Sequence, residues 1–246
     1  MHTTTVDSWI ENLSWPQIEH RIEQGAIALL PVGAASKEHG RHLPLNTDFL
    51  QARWLASELA THVDALIWPV VNFGYYPAFV DYPGSISIPE EVFSNTVQAI
   101  LEGIIFAGVR RTVILNTGIS TIKALQSAVN RISDGASVSL HNVYSGPNFT
   151  RVETELSEQS FGGHADEVET SIMLAIDQSV VNLSLASPQK IPITRGLFNR
   201  TAPNQLNYSP DGVNGNPTLA NKQKGVRLLG ALLEDALDIV RAKADR

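Results

Sequence analysis

The sequence predicts an α/β fold, a three-layer α/β/α sandwich around a mainly parallel sheet. Four apolar runs, AIALLPVG (26–33), ALIWPVV (65–71), TVILNTG (112–118) and the weaker SVSLHNVY (137–144), are short, unbroken and closed by turn residues. Strands covered on both faces read this way, because neither face has to be polar. The stretches between the runs carry apolar residues at helical spacing, the pattern of helices with one buried stripe. Strand and helix alternate, which right-handed crossovers turn into a parallel sheet with helices on both sides. The 246 residues are read as one domain, 1–246, a length that one large core can serve.

Each element has a local reason. After the first run, Asn46 or Thr47 can cap a helix reaching about Ala60, with Leu50 and Trp54 inward and Leu55 and Leu59 as further inward positions. After the second, Pro89 starts a helix whose first turn holds Glu90 and Glu91, where the helix dipole favours carboxylates; it continues through Val97, Ile100, Ile104 and Ile105. A third helix covers roughly 121–132, and Val168, Ile172, Ala175 and Ile176 mark a fourth. The last, about 219–243, carries Leu229, Leu232, Leu233, Ala236 and Val240 along one stripe. Segment 186–218 differs: Pro188, Pro192, Pro203, Pro210 and Pro217 among many Asn and Gly residues predict no long element. An ordered loop of that length is often functional or lies between subunits.

Composition narrows the function. A net charge of −7 argues against nucleic acid as a partner, since such proteins usually show a basic face. With no cysteine there is no disulfide framework, thiolate nucleophile or Cys-type zinc site. The first residues, MHTTTVDSWIENLSW, lack the basic and apolar regions of a signal peptide. No apolar run approaches the roughly 18 residues that span a bilayer, so a cytoplasmic protein without membrane contact is expected.

The chemistry-bearing residues gather where the strands end. The stretch PVGAASKEHGRHLPLNTD (31–48) packs Lys37, Glu38, His39, His42 and Asp48 directly after an apolar run. NFGYYPAFVDYPGS (72–85) and NTGIST (116–121) follow the second and third runs. Ligands of open parallel sheets bind beyond the carboxyl ends of the strands, so these three loops are expected to face one crevice. Carboxylates and neutral imidazoles suit zinc, manganese or iron, and Asp48, at the first turn of its helix, can turn back towards Glu38 and His39. A charge-rich surface loop is the alternative reading.

These residues resemble the creatininase (creatinine amidohydrolase) family, whose signature usually reads PVGS-x-EQHG-x-HLPL-x-TD. YPGSISI (82–88) is similar to the family's FPGT-type segment, GGHADEVETSIML (162–174) to HAG-x-x-ETS, and GVNGNPTLANKQKG (212–225) to its GV-x-GDP tail ending in KG. The segments follow in the family's order over most of the chain. The resemblance implies a creatininase-like α/β/α fold, commonly a homohexamer, and metal-dependent hydrolysis of non-peptide carbon–nitrogen bonds in small, often cyclic amides. It implies that His39 and Asp48, nine residues apart as in the family, bind metal, with Glu38 as the candidate third ligand.

The departures from the family pattern are specific. The family Glu lies two residues before the His; here Lys37 holds that place, Glu38 adjoins His39, and the loop is one residue longer. The family's third-strand NGH motif supplies a His and often a Glu, where NTGIST sets Gly118 and Ser120. The His that often precedes the FPGT-type segment is replaced by FVD (79–81). Glycine has no side chain to coordinate with and serine rarely does so, which leaves a two-metal centre short of ligands. Two metals, one, or none with Lys37 supplying the positive charge all stay open. One divalent ion per subunit is the expectation, with creatinine not the expected substrate.

His164 matches the histidine of the HAG segment and is expected to move protons, work that suits an imidazole near neutral pH; it can instead cap the helix that follows. Glu169 either orients His164 or a ligand, or is a plain helix carboxylate. Lys37 is expected to stabilise charge developing at a substrate carbonyl, and His42 to hydrogen-bond behind the ligands. Tyr75, Tyr76, Phe79 and Tyr82 either line a pocket for a flat substrate or pack under their loop, and Ser120 joins them as a substrate contact. The competing reading is a catalytically retired member that binds a small amide or purine-like ligand.

Overall fold

The computed structural model describes residues 7–133, 136–190 and 209–242. Among them, β1 (Ile27–Val32), β2 (Ala65–Ile67), β3 (Arg111–Asn116) and β4 (Ser137–Asn142) form one all-parallel sheet in the order β2-β1-β3-β4. The flanking helices are α1 (Trp15–Glu23), α2 (Thr47–Ala60), α3 (Glu90–Phe106), α4 (Ile122–Asn130), α5 (Pro147–Leu156), α6 (Glu167–Ile176) and α7 (Lys222–Ala242).

Alternation along the strands splits the core in two. Leu29, Ile67, Val113 and Leu115 enter one cluster with Leu55 of α2, Phe149 of α5, Ile172 of α6 and Leu232 of α7. Ala28, Leu30, Val32 and Ile114 enter the other with Phe93 and Val97 of α3, Leu125 of α4 and, at its margin, Ile22 of α1. Full burial of each such large side chain contributes about 1.5–3 kcal/mol. Three layers follow, and they explain why the strand sequences are apolar throughout.

Two elements went unread in the sequence. α1 begins with a reciprocal capping box between Ser14 and Gln17, and α5 has Pro147 at its first position; both signals are local and belong to short helices. The second run was expected to stay extended to 71, yet β2 stops at Ile67. Pro69 has no N–H to donate to a ladder, and pairing resumes only as a bridge between Val32 and Val71. α7 starts at Lys222, three residues later than expected, because the Asn221 side chain accepts from the Lys224 N–H and caps it. Of segment 186–218, residues 191–208 lie outside the described residues; Gln189 and Gly215 form an isolated bridge. No helix among the described residues is long and apolar enough to cross a membrane.

His141 on β4 is buried with its Nε2 unpartnered, and burial, against a smaller opposing pull from Asp235, lowers its pKa from 6.5 to about 4. The unfolded chain therefore binds more protons between these values. The stability this histidine contributes is complete above pH ~6.5 and is lost as pH falls towards 4, by at most about 3 kcal/mol. Urea unfolding between pH 7.5 and 4.5 should show a shallower acid loss for His141→Gln than for the wild type. Equal slopes would count against this assignment.

Candidate functional site

β1 runs on through α2 to β2 on one side, and its other neighbour β3 through α4 to β4 on the other, so the chain diverges between β1 and β3 and opens a crevice at their carboxyl ends. The chain turns there at Gly33. A Cβ at that position would lie 2.3 Å from the Asp48 carbonyl oxygen and 2.8 Å from Thr117 Oγ1, so glycine is what lets the start of α2 lie against the strand end. The Thr117 hydroxyl lies 3.0 Å from the Asp48 carbonyl and 3.1 Å from that of Val32, fastening β3 to both. Asp48 is thereby buried in the first turn of α2. The loop between is pinned by Lys37 N–H donating to the Leu45 carbonyl at 3.1 Å and Glu38 N–H donating to Ser85 Oγ at 2.9 Å.

His39 Nδ1–H donates to the Lys37 carbonyl at 2.9 Å, which leaves Nε2 facing Asp48 Oδ1, also at 2.9 Å. With the ring neutral, two lone pairs meet there unless a proton or a cation lies between them. The other Asp48 oxygen takes the Lys37 ammonium at 2.7 Å, without the alignment of a hydrogen bond. His164 stacks beside His39 with ring centroids 5.2 Å apart. Its Nε2 meets Glu38 Oε1 at 2.7 Å, and its Nδ1 lies 3.9 Å from Glu169 Oε2. Glu38 Oε2 accepts from Gly40 N–H at 2.9 Å.

His164 is aimed by unusual backbone. Ala165 has φ 47, left-handed and costly for a residue with a Cβ, and its N–H donates to Glu169 Oε2 at 2.5 Å. Asp166 caps α6 by accepting from Val168 and Glu169 N–H, while its second oxygen accepts from Gly163 N–H.

One ligand atom from each of His39, His164 and Glu169 lies within 4.8 Å of the others. Two nitrogens and a carboxylate oxygen form a donor set that zinc, manganese or iron accepts. A backbone carbonyl behind His39 and a carboxylate behind His164 are the outer contacts that orient metal-bound imidazoles. Three carboxylates, Glu38, Asp48 and Glu169, surround one ammonium, an imbalance that a divalent cation would meet. The residues present fit such an ion. Burial works against a charged Lys37, but Asp48 and Glu169 outweigh it and its pKa is raised. Burial likewise opposes ionisation of Asp48, yet Lys37 and His39 hold its carboxyl well below the usual range. For His164, burial is outweighed by Glu38 and Glu169 and the pKa is raised; an ion bound at its ring would take the place of the second ring proton.

The sequence grouped these residues differently, with Glu38, His39 and Asp48 as ligands and His164, Glu169 and Lys37 as catalytic groups. All six converge, but Glu38 is drawn to His164 and Asp48 to Lys37, while His164 and Glu169 stand within ligand reach of His39. His42 Nε2 is turned to Thr170 Oγ1 at 2.8 Å, and burial lowers its pKa to about 4. Of the aromatic loop, Tyr76 and Tyr82 pack with Phe79 and Ala34, Tyr82 donates to the Ser209 carbonyl at 2.7 Å, and Phe79 stacks on His164 at 4.5 Å. Tyr75 packs instead against the core beneath α3. Ser120 is half-buried in the turn before α4.

A cavity of about 390 Å³, lined among others by Ile119, Tyr144, Phe149, Phe161, Asp166 and Glu169, borders the group through Glu169. That is the scale of a small-molecule pocket. The sequence reading missed Tyr144 and Phe161, which carry no motif.

Fold and site together define an α/β protein with a metal-type donor group at the carboxyl ends of parallel strands. The family model described as creatinine amidohydrolase (creatininase) matches residues 11–240, and the chain belongs to this family. It is 23% identical to a creatinine amidohydrolase of Pseudomonas putida over 95% of this chain and 96% of that one. It is also 23% identical to a 3-dehydro-scyllo-inosose hydrolase of Thermotoga maritima, over 97% and 84%. Identity to a mycofactocin precursor peptide peptidase of Mycobacterium ulcerans is 26%, over 91% and 84%. Among solved structures, a mutant creatininase superposes with a TM-score of 0.84 at 22% identity, covering 96% of this chain and 99% of that one. A mutant creatininase of Zn-Zn type gives 0.83 at 22% identity, over 96% and 98%. The fold is creatininase-like.

Proposed function

We propose that the chain is a hydrolase that cleaves a carbon–nitrogen bond other than a peptide bond in a small, possibly cyclic amide, using one divalent ion of zinc, manganese or iron. The observation that carries this reading is the meeting of His39, His164 and Glu169 within 4.8 Å beside a small-molecule cavity. An ion held there supplies Lewis acidity to a carbonyl and lowers the pKa of bound water. The chain's own groups do the rest. The Lys37 carbonyl fixes the His39 tautomer. Glu38, held between His164 and the Gly40 N–H, takes a proton from water and returns it to the leaving nitrogen. Lys37 offers positive charge to the oxygen on which negative charge develops. A homo-oligomer of the family's hexameric kind accompanies this reading.

The 2.7 Å contact of His164 with Glu38 favours a second reading, in which His164 carries the proton and the ion rests on Glu38, His39 and Asp48. Glu169→Gln separates the two. On the first reading zinc affinity falls by at least about tenfold, or ~1.4 kcal/mol; on the second it is unchanged. Isothermal titration with zinc measures it. The hydrolase reading itself is tested by metal analysis of the purified protein with a screen of cyclic ureas, lactams and formamides. Binding of such compounds without turnover by metal-loaded protein would favour the retired binder.

A further inference from the structure

Building on the single-ion reading above, we propose that Lys37 is a tethered cation standing in place of a second metal ion, so that this site takes one ion rather than two. The Lys37 side chain is 8% exposed and that of Asp48 is 0% exposed, with the ammonium 2.7 Å from Asp48 Oδ2. The other oxygen of the same carboxylate faces His39 Nε2 at 2.9 Å. Asp48 thus lies between a fixed positive charge on one side and the imidazole of the donor group on the other. The rings of Phe79 and Tyr76 wall the ammonium at 5.1 and 5.8 Å from their centroids, contacts that favour a cation.

The same residue also serves the first ion's side, since the Lys37 carbonyl holds His39 Nδ1. Its backbone orients one imidazole while its side chain neutralises the neighbouring carboxylate. Of the third-strand loop, Gly118 offers a further ion no side chain, and its Cβ position would lie 2.9 Å from Thr121 Oγ1. A similar solved creatininase variant is of Zn-Zn type, from which a one-ion site would set this chain apart. A second divalent cation beside a desolvated ammonium would meet strong like-charge repulsion. The chemical consequence is a division of labour. An ion on the imidazole side would supply Lewis acidity, and on the other side the ammonium would offer positive charge to a carbonyl oxygen.

The probe is zinc alone, with the wild type, Lys37→Glu and Lys37→Met, each checked for folding by circular dichroism and counted by elemental analysis after gel filtration. The wild type should hold one zinc per chain. Lys37→Glu, which exchanges the ammonium for a carboxylate beside Asp48, should hold two, and Lys37→Met one or two. Two zinc ions in the wild type, or one in folded Lys37→Glu, would overturn the proposal. So would loss of the single ion in Lys37→Met, because the lysine would then serve the first ion. None in the wild type but one in Lys37→Glu would keep the tethered cation and remove the single-ion reading; none in either would remove both. If Lys37→Glu fails to fold without metal, refolding in zinc gives the same count.

Discussion

Replacing His39 with alanine is expected to strip the bound ion and lower kcat/KM on the protein's substrate by about a thousandfold, or ~4 kcal/mol of transition-state stabilisation. The ring is fully buried between the Lys37 carbonyl and Asp48, so its loss leaves a polar gap with no imidazole to hold an ion. The third-strand loop, NTGIST (116–121), contains no histidine to act as a substitute. His164 cannot compensate, since it is already one of the donors. His42→Ala provides the contrast. Its Nε2 contacts Thr170, behind the donor group, and outer contacts of this kind typically cost 10–100-fold. Elemental analysis and steady-state kinetics of both variants, with circular dichroism to show that the fold survives, decide the matter. An ion retained in His39→Ala would show that the donor set is misassigned.

The four strands and most helices were legible because burial on both faces imposes an unbroken apolar run, as in Leu29 and Leu30, which enter opposite clusters; the order β2-β1-β3-β4 was not. The place of the site was legible for the same reason, since parallel strands leave their carboxyl ends open and the charged residues follow them. The proximity of His39 and Asp48 could be expected because one strand end and one helix start carry both. The partnership of Glu38 with His164 could not. They are 126 residues apart, and only the packing of α6 against α2 and α7 fixes where His164 arrives. Nor does a run of aromatic residues say which way each ring turns. Tyr75 and Tyr76 are adjacent, yet one packs beneath α3 and the other beside Lys37. Lys37 itself was legible as a charged residue in the strand-end loop, but its 2.7 Å contact with Asp48 has no sequence signature.

The KG at 224–225 shows how a motif far from the chemistry still governs it. Lys224 reaches Glu167 and Glu158 at 2.5 Å each, locking α7 to the start of α6. Beside it, a Cβ at Gly225 would lie 1.8 Å from the Ser171 carbonyl oxygen, 2.6 Å from its carbon and 2.9 Å from Ala175 Cβ. The two nearest atoms are backbone, so neither can swing aside, and the helices would have to separate. Gly225→Ala is therefore expected to destabilise the protein by on the order of 3 kcal/mol, a drop of roughly 6–12 °C in Tm for a chain of this size. Because Ser171 lies two residues beyond Glu169 on α6, the displacement would also carry Glu169 away from His39, and zinc affinity should fall together with stability. Gly230 on the same helix is the control. It is exposed, and nothing lies within 4 Å of its Cβ position, so Gly230→Ala should stabilise by about 0.5–1 kcal/mol through helix propensity alone. Thermal unfolding of the two variants measures the contrast. Similar shifts in both would mean that close approach of α6 and α7 is not what the glycine serves.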